Sequence, residues 1–182
     1  MANTAGQAYA LSVLCPVEPQ RLDALEEALA ALPLGEASPL ARVGTTHFAR
    51  WVVIDQLVYE GDGQKPDTLA HPYLLFTSNF DGGVDDYLLD LCRASLADLH
   101  AVWRHCIGCP ERRAAKPLAG YLRRHSVDTT MFYAAYPKAT VADVRRSVLL
   151  RQRFSEFAVR SQRLEPNALM RAFHRNFGRA LA

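Results

Sequence analysis

The chain has 182 residues, 49% of them hydrophobic and 22% charged, and a formal net charge of +2. This ordinary globular composition excludes intrinsic disorder and collagen-like repeats, and four cysteines spread unevenly over the chain exclude a disulfide scaffold. No apolar run approaches the roughly 20 residues of a membrane span, and the N-terminus lacks the basic start of a signal sequence, so a soluble cytoplasmic protein is expected.

Charge divides the chain. Residues 138–182 carry ten Lys/Arg against three Asp/Glu, while residues 1–137 are net negative. The expectation is an α+β domain over residues 1–137 and a basic amphipathic helical arm over residues 138–182.

The first element, Ala8–Cys15, places Tyr9, Leu11, Val13 and Cys15 on one parity and stops at Pro16, which predicts a strand. Pro19 opens a helix through Leu32, with Leu22, Leu25, Leu29 and Leu32 at helical spacing. His47–Asp55 is dense in β-branched and aromatic residues and predicts a buried strand. Glu60–Asp67 is rich in turn residues, and Tyr73–Phe80 predicts the next strand, paired antiparallel with the one before.

Gly82-Gly83 ends that strand. Asp85 and Asp86 suit the first turn of a helix, whose apolar stripe from Val84 to Trp103 runs on toward Gly108 and Pro110. A short helical piece covers Leu118–Arg124, and Thr129–Tyr136 predicts a fourth strand before Pro137. Thr140 with Asp143 starts a helix to about Gln162, and Leu169, Phe173 and Phe177 mark a last amphipathic helix. This order predicts a ferredoxin-like split βαβ arrangement: an antiparallel sheet, helices on one face, and two extra C-terminal helices. The other face of the sheet needs cover. A homodimer is the expectation.

Strand parity sorts the candidate site residues. Phe48, Arg50, Val52 and Ile54 share one side of the second strand, with His47 on the other unless a bulge turns it to the rim. Arginine is seldom buried without a partner, so Arg50 is placed on the open side with Thr77 and Asn79 as neighbours; Tyr73 shares their parity. A guanidinium on an apolar floor suits a carboxylate, an enolate or a peroxide oxygen. The structural alternative is an ion pair from Arg50 to Asp55, Asp81 or a subunit neighbour. His47 is a candidate proton acceptor, with a purely structural strand-end histidine as the alternative.

His105-Cys106-Ile-Gly-Cys109-Pro110 offers one C-x-x-C pair. It could serve zinc with two further ligands, or redox chemistry, but there is no second pair, and two structural thiols are the default. Asn79–Gly83 has the shape of an anion cradle, yet Asp81, Asp85 and Asp86 would repel a phosphate, leaving a turn and a helix start. The arginines of the C-terminal arm alternate with phenylalanines as in an amphipathic helix, and the RNA-recognition signature is absent, so nucleic acid is not the expected partner.

His47-Phe-Ala-Arg-Trp-Val-Val-Ile and Tyr73-Leu-Leu-Phe-Thr-Ser-Asn-Phe-Asp-Gly, in this strand–helix order, resemble the dimeric α+β-barrel superfamily over roughly residues 8–136, nearest to the ferredoxin-like halves of dye-decolorizing peroxidases. The resemblance implies a small-molecule-binding homodimer, of peroxidase or monooxygenase type if it is an enzyme, acting on an apolar or aromatic substrate. Haem is the cofactor it would admit. Ser78 stands where the peroxidase Gly-x-x-Asp-Gly signature begins, no histidine matches an axial haem position, and no catalytic residue is carried over. The competing reading is a non-catalytic binding or assembly module that docks a partner protein through the basic C-terminal helices.

Overall fold

The structure, a computed structural model, describes residues 3–58, 61–63 and 68–178. Most of the expected turn at Glu60–Asp67, and Arg179 of the basic arm, lie outside these residues. The chain separates into two compact units, Met1–Ala142 and Asp143–Ala182.

The first unit is α+β. Its strands are β1 (Thr4–Ala5), β2 (Ala8–Pro16), β3 (Thr46–Ile54), β4 (Tyr73–Asp81) and β5 (Ser126–Val127). Its helices are α1 (Leu22–Ala30), α2 (Val84–Ala94), α3 (Leu96–Trp103) and α4 (Ala115–Arg124). β2 pairs antiparallel with β4, and β4 antiparallel with β3. The far edge of β2 is shared by two short strands, β1 at Ala8 and Tyr9 and β5 at Ser12 and Val13.

Alternation along the strands fixes which face is covered, because successive side chains point to opposite sides. Leu11, Val13 and Cys15 of β2 and Leu74, Phe76, Ser78 and Phe80 of β4 are buried, as are Leu88 and Leu91 of α2 and Leu118 and Leu122 of α4. Each large apolar side chain so buried contributes about 1.5–3 kcal/mol. Aromatic rings lock the layer: Phe76 meets Trp103 edge-on at 5.4 Å, and Phe80 stacks on Tyr87 at 3.6 Å. The residues between them, from Ser12 and Leu14 to Leu75 and Thr77, face away from this core.

Two expectations are corrected. Thr129–Tyr136 is not a strand; Ser126–Val127, directly after α4, takes the place beside β2. Thr129 is instead held by its backbone N–H, which donates to Asn3 Oδ1, and Pro137 accepts from the Gln7 N–H. β1 and β5 take positions on that edge of β2, and Met131, Tyr133 and Tyr136 are left exposed. The long helix expected from Val84 is two helices, broken at Ser95, whose hydroxyl donates to the Pro39 carbonyl at 2.7 Å. A serine that bonds outside its own helix offers the backbone an alternative to the helical ladder.

The second unit holds most of α5 (Val141–Ser161) and all of α6 (Pro166–Phe177). Pro166 opens α6 at a position where the missing N–H costs nothing. The two helices meet through Phe154, Phe157, Phe173 and Phe177, whose ring centroids lie 5.3–6.1 Å apart. No helix among the described residues is long and apolar enough to cross a membrane.

Candidate functional site

The face of the sheet opposite the core it forms with its own unit's helices carries a shallow groove of about 550 Å³, lined by Ala10 and Ser12 of β2, Phe48 and Arg50 of β3, and Thr77 and Asn79 of β4, together with Thr129. Register brings them together. Arg50 lies opposite Thr77, and Thr77 opposite Ser12; Phe48 lies opposite Asn79, and Asn79 opposite Ala10. The floor is therefore short and polar in the middle, with an exposed aromatic ring on the β3 side.

Arg50 occupies the side that its charge predicts. Its Nε donates to Thr77 Oγ1 at 3.2 Å, which aims the guanidinium along the sheet while leaving its other N–H groups to face the groove. It has no ion pair among the described residues, so the structural alternative of pairing with Asp55 or Asp81 is not what holds it. Thr77 and Asn79 sit beside it as expected. Tyr73 shares the face but pairs with Pro16 and Ile54 at the opposite end of the strands, and it does not line the groove.

A register shift between Thr46 and Phe48 takes His47 out of the strict alternation of β3. Its Nε2–H donates to Asp81 Oδ1 at 2.7 Å, and the second Asp81 oxygen accepts the Val141 backbone N–H at 2.8 Å. Asp81 is the residue that sequence reasoning missed as a partner of His47. The carboxylate fixes the ring, and because a carboxylate only accepts, Nε2 carries a proton. Asp81 stands two residues beyond Asn79, about 6–7 Å along the strand, and neither Asp81 nor His47 lines the groove.

Beneath the floor, Tyr87 from α2 shares hydrogen bonds with Ser78 Oγ at 2.7 Å and Thr46 Oγ1 at 3.2 Å. Burial raises the Tyr87 hydroxyl above its ordinary range, and the bonds from Ser78 and Thr46 oppose that shift. It remains a neutral hydroxyl that anchors the start of β3 and the end of β4 to the helix layer, holding the bulge in place.

Among the described residues that line the groove there is no imidazole, thiol, thioether or phenol to serve as an axial ligand, so these residues do not fit a haem. Among the described residues no three His, Cys, Asp or Glu side chains are grouped to hold a metal ion. What the groove offers is a directed cation, hydroxyl and amide groups and an aromatic wall, with the carboxylate-oriented imidazole of His47 outside its lining. It can bind an anionic or enolisable molecule.

No protein-family model, curated protein or solved structure matches the chain.

Proposed function

We propose that the helix-free face of this sheet binds a small apolar or aromatic molecule bearing an acidic or enolisable group, and that a second copy of the chain closes the groove over it, as in a dimeric α+β barrel. The ferredoxin-like reading of the sheet belongs to this proposal. The observation that carries it is the unpaired Arg50 guanidinium, held by Thr77 on the floor of a groove walled by an exposed Phe48. Leaving a phenylalanine 77% exposed on a sheet face costs burial energy that a ligand and a second sheet would both recover.

In the enzymatic form of this reading His47 takes the proton and Arg50 steadies the resulting anion, the opening step of a cofactor-free monooxygenase-type oxidation. A peroxidase-type reaction draws less support, because the groove does not suit haem.

A second reading rests on α5, where Val148, Leu149 and Val159 are more than half exposed among arginines. This surface would suit a partner protein of acidic character, making the chain an assembly module.

Native mass spectrometry of the full-length protein reports subunit number and retained ligand together. Dimers that carry a small molecule, and that dissociate in Phe48→Asp but not in Val148→Asp, are the expected result. Monomers without ligand, or dimers that dissociate only in Val148→Asp, would overturn the sheet-face reading in favour of the helical arm.

A further inference from the structure

A second groove, of about 640 Å³, lies on the first unit and is lined by residues of the turns before α1 and after α3, among them Arg21, Arg104, His105, Cys106, Cys109 and Glu111. Its chemistry is unrelated to the sheet face. Cys106 and Cys109 close a tight turn: the Cys109 N–H donates to the Cys106 carbonyl at 3.3 Å, and Gly108 supplies the positive φ of 74° that the third position of such a turn requires. A four-residue turn holds its end Cα atoms within about 7 Å, near the range that a disulfide spans.

The turn is pinned to the sheet. Cys106 bridges Val17, the Ile107 N–H donates to the Pro16 carbonyl at 2.8 Å, and the Glu18 N–H donates to the His105 carbonyl at 3.2 Å. Cys106 is buried and Cys109 half-buried, and all the cysteines are free thiols. The more accessible thiol therefore borders the groove and donates to the Pro110 carbonyl at 3.9 Å, while the Cys106 thiol, three residues back in the same turn, meets the buried Cys15 thiol and must rotate away from it to join Cys109.

We propose that Cys109 and Cys106 form a dithiol site that exchanges with a small zwitterionic disulfide of the amino-acid or peptide type. Arg104 and Glu111 have no ion pair among the described residues, and they line the groove beside the thiols. Their opposite charges match a carboxylate and an ammonium group on one ligand. In the first step the Cys109 sulfur, having released its proton, attacks the ligand's S–S bond. One half of the ligand leaves as a thiol with that proton, and the other half stays on Cys109 as a mixed disulfide. In the second step the Cys106 sulfur attacks Cys109 Sγ, the mixed disulfide breaks, and the second half leaves with the Cys106 proton. The protein loses two hydrogens and two electrons, and the ligand is reduced to two thiols. Burial pushes the Cys109 thiol up to about 11, so the site is slow at neutral pH, and adjacency rather than acidity drives the second step.

The test is incubation of the folded full-length protein with oxidised glutathione at mildly alkaline pH, followed by tryptic mass mapping. Both thiols fall in the segment 105–112, between cleavage sites at Arg104 and Arg112. The expected product is that peptide two hydrogens lighter, with Cys92 untouched in its buried position in α2. Cys106→Ser should stop at a glutathione adduct on Cys109. Arg104→Ala should slow the reaction several-fold with oxidised glutathione but not with hydroxyethyl disulfide, which has no charge to recognise. A first adduct on Cys15 or Cys92, a cross-link from Cys15 to Cys106, or oxidation of the 105–112 peptide only in denaturant would overturn the proposal. Equal slowing with both disulfides would overturn the assignment of the ligand.

Discussion

The two faces of one sheet are built from alternate residues of the same strands, yet they differ in what they are free to do. On β4, Leu74, Phe76, Ser78 and Phe80 are all buried against helices, and even the serine has its hydrogen bond. Leu75, Thr77 and Asn79, one step away on the other side, keep access to solvent, and Arg50 and Phe48 from β3 stand open beside them. The closed face is packed with buried apolar side chains and so carries stability. The open face has an uncommitted cation and an uncovered ring, so it contributes little to stability and is available for recognition. Substitutions should separate these two kinds of residue sharply.

The largest expected effect is at Phe76, fully buried between Trp51 and Trp103. Phe76→Ala removes that ring and leaves a cavity, at a cost of about 3–5 kcal/mol in urea unfolding. Leu75→Ala, its neighbour on the open face, should cost less than about 2 kcal/mol, since its side chain is only partly withdrawn from water. Equal losses would mean that the open face is as firmly packed as the closed one in solution.

Tyr87→Phe comes next. It keeps the stacking on Phe80 but removes the hydroxyl shared with Ser78 and Thr46, leaving a buried serine without that partner. The expected loss is about 1–2 kcal/mol by the same measurement. Because Thr46 adjoins the bulge, the His47 ring should also become mobile, visible as broadened imidazole resonances.

Much of this contrast was legible from parity alone. Phe48, Arg50 and Val52 alternate with Ala49, Trp51 and Val53, and an unpaired arginine on one parity is enough to say which side is open. The edge of the sheet was not legible. Thr129–Tyr136 has the aromatic and β-branched content of a strand, but the edge of β2 pairs with β1 and β5 instead. Local pattern measures fitness for a pleated surface and carries no information about vacancy on that surface. The break at Ser95 likewise depends on the Pro39 carbonyl, 56 residues away in sequence. The His47–Asp81 pair is hidden for the same reason: it exists only because a bulge and a 34-residue separation close on one point.

A smaller effect concerns acid. His105 is buried in the turn after α3, and burial, with the Arg104 and Arg21 cations, holds its imidazole below the usual histidine range. Glu18 and the Ala101 carbonyl act in the opposite direction without reversing it. The unfolded chain therefore binds the proton more readily, and the sign follows: stability is full above about pH 6.5 and declines as pH falls from there toward the lower folded value. His105→Gln should flatten that part of the stability-versus-pH curve. An unchanged slope in the variant would show that acid acts on the fold through other groups.

Arg50→Ala should move stability least, within about 0.5 kcal/mol of the parent, because the side chain is exposed and makes one hydrogen bond, to Thr77. Its effect should appear in binding. With small aromatic carboxylates as probes, in equilibrium dialysis at low and moderate salt, the parent should bind and the variant should lose about tenfold or more, the scale of one charge-assisted contact. Arg50→Lys keeps the charge but not the planar fork held by Thr77, so it should recover only part of that loss. A full recovery would reduce Arg50 to a bulk positive charge. Unaltered binding in Arg50→Ala would move recognition off this face altogether, since no other cationic side chain among the described residues lines the groove. The pairing of a negligible change in folding with a large change in affinity is what a residue on the uncommitted face should produce, and no residue on the closed face can produce it.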